Sequence, residues 1–343
     1  MKRVAIVILN WNGKKFLEKF LPSVVDNNIE YADIYIADNA STDDSLSFLE
    51  ANYPKIHTIP LDKNYGFAEG YNRALKQIVD IEYFILLNSD IEVTPGWIEP
   101  VINFLDNNND YVACQPKLLS YYDRTQFEYA GAAGGFLDKF GYPFCRGRIF
   151  NHVETDNGQF NDYCEIFWAT GACMFVRAQE YHEIGGFDKD FFAHMEEIDL
   201  CWRFKNAGFK IGYCPTSVVY HVGGGTLPKS SSFKTYLNIR NNEVMIYKNL
   251  TSKRLIPVML LRFCMDLVSS IKFFIDGGFK DFWAVIRAHL SFFKHFGRNK
   301  HKRKHIDQQT ISCMYTKSIV FQNYFKKKNY FNQLDKKDFT ANS

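Results

Sequence analysis

Residues 4–13 read V-A-I-V-I-L-N-W-N-G, and residues 83–90 read Y-F-I-L-L-N-S-D. Each is an unbroken apolar run of strand length closed by Asn and turn formers, the pattern of a strand buried on both faces of a parallel sheet. Two further β-type runs, 33–37 and 57–60, lie between them, and helical stretches at 15–25, 44–53 and 66–79 separate the four. Strand and helix in alternation predict an α/β fold with a mostly parallel sheet flanked by helices. The loops that follow the strands then gather on one edge, where open α/β sheets bind ligands. Those loops are 10–13, 38–43, 63–66 and 88–90, all polar. No G-x-G-x-x-G follows the first strand, which speaks against a dinucleotide dehydrogenase, and no G-x-x-x-x-G-K-[ST] is present, which removes the P-loop NTPases.

With 343 residues, 46% of them hydrophobic and 23% charged, the chain is too long for a disulfide-stapled module and too apolar for a disordered one. The net charge of +3 hides a division. Residues 1–252 carry 23 Lys and Arg against 32 Asp and Glu, a net −9, whereas residues 253–343 carry 18 against 6, a net +12. An acidic body with a basic tail suggests two tasks, the tail meeting something anionic. Nucleic acid fits the tail but not the body. Eight cysteines without a C-x-x-C pair read as reduced thiols in a cytosolic compartment. Lys2 and Arg3 mimic the start of a signal peptide, but the apolar run after them is only six residues long and reads better as a strand.

The tail divides again. Residues 255–275 are long enough to span a bilayer but contain Arg262, Asp266 and Lys272, each costing roughly 2.5–3.5 kcal/mol at a span's centre. At about 100° per residue, Arg262, Asp266, Ser269, Ser270, Lys272 and Asp276 share one side, and residues 279–296 repeat the pattern. They read as amphipathic helices lying in a membrane interface, followed by a polybasic block at 298–305, R-N-K-H-K-R-K-H, suited to anionic headgroups. Packing of both helices on the chain's own core accounts for the pattern equally well. The expected organisation is a main domain over 1–252, amphipathic basic helices over 253–305 and a basic tail over 306–343.

Four short strings could carry chemistry. Asp38 opens D-N-A-S-T-D-D-S after the second strand and could accept from an imide N–H such as that of uracil or thymine, although helix capping explains most of the string. Asn88-Ser89-Asp90 places an acid at a strand end, where a hard divalent cation on a diphosphate could use it; the same tripeptide is also an ordinary turn. Glu196, Glu197 and Asp199 begin a helix at 196–207. Acids there complement the macrodipole, Asp199 pairs with Arg203 at i,i+4, and a carboxylate facing the crevice would be ionised at neutral pH and could act as a general base. His221 precedes G-G-G at 223–225, where imidazole could ligate a metal and backbone amides could approach phosphate; a structural histidine beside a hinge is the alternative.

In order along residues 1 to about 250, these strings together with K-N-Y-G-F-A-E-G-Y-N at 63–72, T-G-A-C-M-F-V-R at 170–177 and L-N-I-R-N-N at 237–242 resemble a family-2 glycosyltransferase of the GT-A fold, in its bacterial rhamnosyltransferase-like branch. The resemblance implies that Asp38 contacts the donor base and that Asn10 borders the same pocket. Asn64, Gly66, Asn72, Arg73 and Gly171 would line the nucleotide-sugar site, with Asn88 at the ribose and Arg240 and Asn241 near the diphosphate. Asp90 and His221 would hold a divalent metal, Mg2+ or Mn2+. Glu197 stands where the family has the second acid of E-D, a Glu for Asp, and would be the base, with Glu196 as its rival. One base implies a single displacement with inversion. The donor would be a dTDP- or UDP-linked sugar, dTDP-rhamnose being the branch's label, and the acceptor a hydroxyl of a lipid-linked surface glycan, reached from the cytoplasm with the tail helices peripheral on the inner face of the membrane. A sugar-1-phosphate nucleotidyltransferase should show a Gly-rich, Arg-bearing loop where N-W-N-G stands, and a non-catalytic nucleotide-sugar binding module is the other alternative.

Overall fold

The computed structural model describes residues 3–223, 231–303 and 311–340. Strand β1 (Val4–Asn10) is central because it is apolar on both faces: Val4 to Ile8 are all buried. Around it run α1 (Lys14–Asp26), β2 (Ala32–Asp38), α2 (Ser45–Asn52), β3 (His57–Pro60), α3 (Gly66–Leu75) and β4 (Tyr83–Asn88). Leu17, Phe20, Leu21 and Val24 of α1 recur at helical spacing and are buried, which is why this segment is a helix docked on a sheet. Helix α3 stops at Leu75, four residues before the expected end, as Gln77 and Ile78 turn back to bond the carbonyls of Ala74 and Leu75.

Next come β5 (Ile91–Val93), α4 (Glu99–Asn107) and β6 (Tyr111–Ser120), then four short strands, β7 (Gly135–Asp138), β8 (Pro143–Cys145), β9 (Arg148–Ile149) and β10 (His152–Val153). The chain returns through β11 (Cys164–Ile166), β12 (Cys173–Arg177), α5 (Ala178–Glu183), α6 (Glu196–Asn206) and β13 (Lys210–His221). The main sheet has the order β11-β13-β6-β12-β4-β1-β2-β3, with β5 on β13. Strands β3, β2, β1 and β4 are parallel, as βαβ crossovers require. The other half is mixed, because β12 enters antiparallel between β4 and β6. One apolar core lies on each face, with α1, α2 and α4 on one side and α3, α5 and α6 on the other.

The chain ends in α7 (Ser232–Asn249), α8 (Ser252–Gly277), α9 (Phe279–Lys294), α10 (Phe296–Lys302), β14 (Met314–Tyr315) and α11 (Ile319–Tyr324). Three expectations for this region change. Residues 311–340 are no detached tail: β14 pairs with β7 and completes a second sheet of order β10-β9-β8-β7-β14. Tyr315, Phe331 and Phe339 pack on Phe136 and Phe144, and Asp138 accepts from the Ile319 amide at 2.9 Å. A five-strand sheet of such short strands has little core of its own, and these aromatics supply it.

The polar stripe of α8 faces inward, not toward water. Arg262, Asp266 and Ser270 are 2%, 2% and 1% exposed, while Ile256, Val268 and Ile275 are 71%, 68% and 76% exposed. The polybasic block, in turn, is largely engaged within the fold. Arg298 pairs with Asp190, Lys302 with Asp188 and Asp190, and Arg303 donates to the carbonyls of Tyr247 and Leu250. Lys304 and His305 lie outside the described residues. Among the described residues no helix is long and apolar enough to cross a membrane.

Candidate active site

The parallel register sets Asn10 beside Asp38 and Leu9 beside Asn88, so three strand ends meet on one edge. The Asn10 amide donates to Asp38 Oδ2 at 3.0 Å and to Ser41 Oγ at 3.1 Å, and Asp38 Oδ1 accepts from the Ser41 amide at 2.8 Å. Both side chains are buried. A Cβ on Gly13 would stand 2.3 Å from Asn10 Oδ1, so only glycine lets the loop fold over this amide. Asn39 joins the next loop: its Nδ2 donates to Asn64 Oδ1 and to the Gly66 carbonyl, and its Oδ1 accepts from the Tyr65 amide. Asn10, Asp38, Asn64, Gly66 and Asn88 are thereby brought to one edge. Each Asp38 oxygen retains a lone pair for a further donor.

Asp90 and His221 meet because β5 pairs antiparallel with β13 in the register Ile91 to His221. Asp90 Oδ1 lies 3.2 Å from His221 Nε2, and Asn88 Nδ2 lies 3.5 Å from the same nitrogen. On the other side of the ring, Glu128 Oε1 stands 3.3 Å from Nδ1. Burial alone would push the imidazole's pKa down, but Glu128 and Asp90 outweigh it and raise the value to about 10. Burial likewise opposes charge on Asp90, yet His221 holds that carboxyl below its usual range. A carboxylate and an imidazole nitrogen aimed at one spot, with a second carboxylate behind the ring, suit a divalent cation in place of the imidazole proton. The donor chemistry of these residues fits the expected metal.

The third component is the turn before α6. Phe192, His194 and Met195 have φ of 64°, 70° and 70°, left-handed values that non-glycine residues adopt at a cost. Neighbouring groups hold the turn. Asn241 Nδ2 donates to the carbonyls of Phe191, Ala193 and His194, Arg240 donates to those of Asp190 and Phe191, and the Phe67 amide at the start of α3 bonds the Phe192 carbonyl at 2.7 Å. Gly66, at φ 74°, leaves room for the Phe192 ring, which a Cβ would meet at 2.4 Å. Glu197 is half-buried in the first turn of α6, and Gly171 lies alongside, where a Cβ would stand 3.7 Å from that of Glu197. Burial raises Glu197 to about 7. Glu196, enclosed at 4% exposure and next to Glu197, is raised well above the carboxylate range. The expectation of an acid simply ionised at pH 7 is corrected: burial outweighs the helix terminus and leaves Glu197 near its balance point. Glu196 is enclosed, whereas Glu197 is only half-buried. Asp199 pairs with Arg203 at 2.9 Å as expected, and also with Lys248 and Asn249.

Other expected residues sit differently. Asn72 Oδ1 accepts from the Tyr181 hydroxyl and the Phe187 amide, and its Nδ2 donates to the Phe187 carbonyl, which occupies the side chain in the fold. Arg73 is exposed, paired with Glu69 and laid on the Tyr65 ring at 3.9 Å. Arg240 and Asn241 grip the turn before Glu197. Gly224, Gly225 and Thr226 lie outside the described residues. Sequence reasoning missed Glu128, for which E-Y-A-G carries no local signal, and Asn39, whose place inside D-N-A-S-T was legible.

Comparison with known proteins agrees with this geometry. Residues 5–185, more than half of the chain, match the model of glycosyl transferase family 2. The chain is 24% identical over 230 residues to the N-acetylglucosaminyl-diphospho-decaprenol L-rhamnosyltransferase of Mycobacterium tuberculosis, covering 63% of this chain and 75% of that protein. It is also 24% identical over 226 residues to rhamnosyltransferase WbbL of Escherichia coli, covering 64% and 83%. Among solved structures, residues 1–349 of S. aureus TarS align at a TM-score of 0.55 and 14% identity, covering 88% of this chain and 83% of that one. GalNAc-T7, solved with UDP, GalNAc and Mn2+, aligns at 0.56 and 15%, covering 72% of this chain and 48% of that one. A parallel sheet edge carrying Asn10, Asp38 and Asn88, an Asp90–His221 pair beside it and a family match over most of that architecture lead to one conclusion: this chain is a glycosyltransferase of family 2, GT-A in fold and rhamnosyltransferase-like in branch.

Proposed function

We propose that the chain is an inverting glycosyltransferase that moves a sugar from a dTDP- or UDP-linked donor to a hydroxyl of a lipid-linked glycan. The observation that carries this reading is Glu197, a single half-buried carboxyl near pKa 7 at the start of α6, next to Gly171. A base poised at neutral pH takes the acceptor's proton as its oxygen attacks the anomeric carbon, and one such group suits one displacement with inversion. Asp38 would accept from the imide N–H of the base, with Asn10 and Asn64 shaping the pocket. Asp90 and His221 would hold a divalent cation, Mg2+ or Mn2+, which when bound supplies positive charge at the departing diphosphate. Glu128 orients His221 from behind.

The lipid-linked acceptor is supported by the name of the mycobacterial relative, whose acceptor is a sugar diphosphate on a polyprenol, and by the outward apolar faces of α8 and α9. Exposed Ile256, Leu260, Val268, Ile271, Phe274 and Ile275 on one helix adjoin Phe279, Trp283, Leu290 and Phe293 on the next. Such a face, polar residues inward, belongs in an apolar medium. We assign it to the inner surface of the cell membrane, with exposed Lys253, Lys280 and Lys294 on the same two helices for anionic headgroups. The test is release of nucleoside diphosphate from a panel of uridine-, thymidine- and guanosine-diphosphate sugars with Mg2+ or Mn2+, using a membrane extract as acceptor. Turnover of one donor by the native chain and its loss in Glu197→Gln supports the assignment; equal turnover by both refutes Glu197 as the base.

A further inference from the structure

Away from the strand-end site, α7, α8 and α9 each send one ionisable side chain into a shared interior point. Glu243, Asp266 and His289 place a ligand-type atom each within 4.8 Å of one another. Glu243 and Asp266 are buried, at 0% and 2% exposure, and the His289 side chain is 13% exposed. Both oxygens of Glu243, Oδ2 of Asp266 and Nε2 of His289 are enclosed without a hydrogen-bond partner. Leaving a buried carboxylate so unsatisfied is costly, and folded proteins rarely tolerate it without an occupant. His289 Nε2 stands 3.2 Å from Glu243 Oε1 yet lacks hydrogen-bond geometry. That spacing matches the edge of a tetrahedron with zinc-like bonds, roughly 3.3 Å.

Charge argues the same way. Arg262 reaches Asp266 Oδ1 at 3.5 Å, but it also donates to the Phe140 carbonyl and lies on the Tyr142 ring at 3.7 Å, so one guanidinium faces two carboxylates. The Tyr142 phenol lies beside Asp266 as well. The competing occupant is a proton on Glu243. Shared with His289, it would satisfy Oε1 and Nε2 and leave Glu243 Oε2 and Asp266 Oδ2 bare.

We propose that Glu243, Asp266 and His289 bind a divalent transition ion of the zinc class, a structural site distinct from the one at Asp90 and His221. An imidazole with two carboxylates suits zinc or cobalt better than magnesium. The partly exposed edge of His289 gives the ion its entry and leaves room for a water as fourth ligand. The ion would tie the α8–α9 hairpin, with its outward apolar face, to α7, the helix whose Asn241 grips the turn before Glu197.

The test uses the full chain, stripped with chelator and titrated with Co2+, whose visible bands intensify in four-coordinate sites, followed by Zn2+ in competition. About one equivalent with intense bands is expected in the native chain and equally in Asp90→Asn, displaced by Zn2+. His289→Ala and Asp266→Asn should weaken it more than tenfold, and Zn2+ should raise the melting temperature by several degrees in Asp90→Asn but not in the double variant Asp90→Asn with His289→Ala. If His289→Ala fails to fold, Co2+ shifts of the His289 ring protons in the native chain report the same ligation. The proposal is overturned if the native chain takes up no ion with four-coordinate bands, which leaves the shared proton as occupant. It is equally overturned if the bands vanish in Asp90→Asn and persist in His289→Ala.

Discussion

Asn241 offers the most direct check on how the turn before α6 is held. One buried amide donates to three carbonyls, at 2.9, 2.9 and 2.7 Å, and its Oδ1 accepts from Arg240. In Asn241→Ala the Ala193 and His194 carbonyls lose this donor while that of Phe191 keeps Arg240; at about 1–3 kcal/mol per buried group the net is about 3 kcal/mol. Phe192, His194 and Met195 store roughly 1 kcal/mol or more each in left-handed backbone, so the lost grip is comparable to the strain it restrains. The turn should therefore relax and carry Glu197 with it. A shift near 1 Å at a reacting group costs about 10²-fold in rate, close to 2.7 kcal/mol of barrier. Steady-state nucleoside diphosphate release should show kcat down about a hundredfold and donor KM within about threefold of native. The opposite split, with KM raised and kcat preserved, would mean that Asn241 contacts the donor diphosphate, as the family resemblance implies, and would refute the account of it as a positioning residue.

Other outcomes follow from the same structure. Because burial raises Glu197 to about 7, kcat/KM should climb through pH 7 and fall about tenfold per unit below pH 6; a profile flat from pH 5 to 8 excludes it as base. Linkage has a definite sign here: the folded carboxyl binds its proton more tightly than the unfolded one, so its contribution to stability is present below about 4.5 and is lost as pH rises through about 7. Glu197→Gln should accordingly raise the melting temperature at pH 8 and leave it nearly unchanged at pH 5. The Tyr315 hydroxyl is buried without a partner, so Tyr315→Phe should be neutral or stabilising, whereas Tyr315→Ala should cost about 3–5 kcal/mol in denaturant titration; equal tolerance of both would show that the C-terminal segment does not hold the small sheet. Ile271→Glu with Ile275→Glu should abolish co-sedimentation with anionic liposomes at an unchanged melting temperature, and retained binding would move the membrane contact elsewhere.

Much of the parallel half was legible because its signals are local. A run such as V-A-I-V-I-L can be buried only between two layers of helices, and α/β alternation then fixes which loops share an edge. The Asp199–Arg203 pair was equally readable, since four residues on a helix always meet. What was not legible depends on partners distant in the chain. The β5–β13 register sets His221 against Asp90, and the fold brings Glu128 behind the ring, 93 residues from His221 in sequence. Helical periodicity in α8 divided polar from apolar residues correctly but could not say which side faced in. That depended on whether Arg262 found buried partners, and Phe140 and Tyr142 lie elsewhere in the chain. The basic block 298–303 met a similar fate, since Asp188 and Asp190 wait on the turn it packs against. The sequence by itself determined the secondary structure of the parallel half, the family resemblance and the acids available for chemistry, because those follow from short-range pattern. Only the tertiary structure decided which acids are ionised, which polar groups are occupied and which apolar face is left outward, because burial and pairing are properties of neighbours that folding alone brings together.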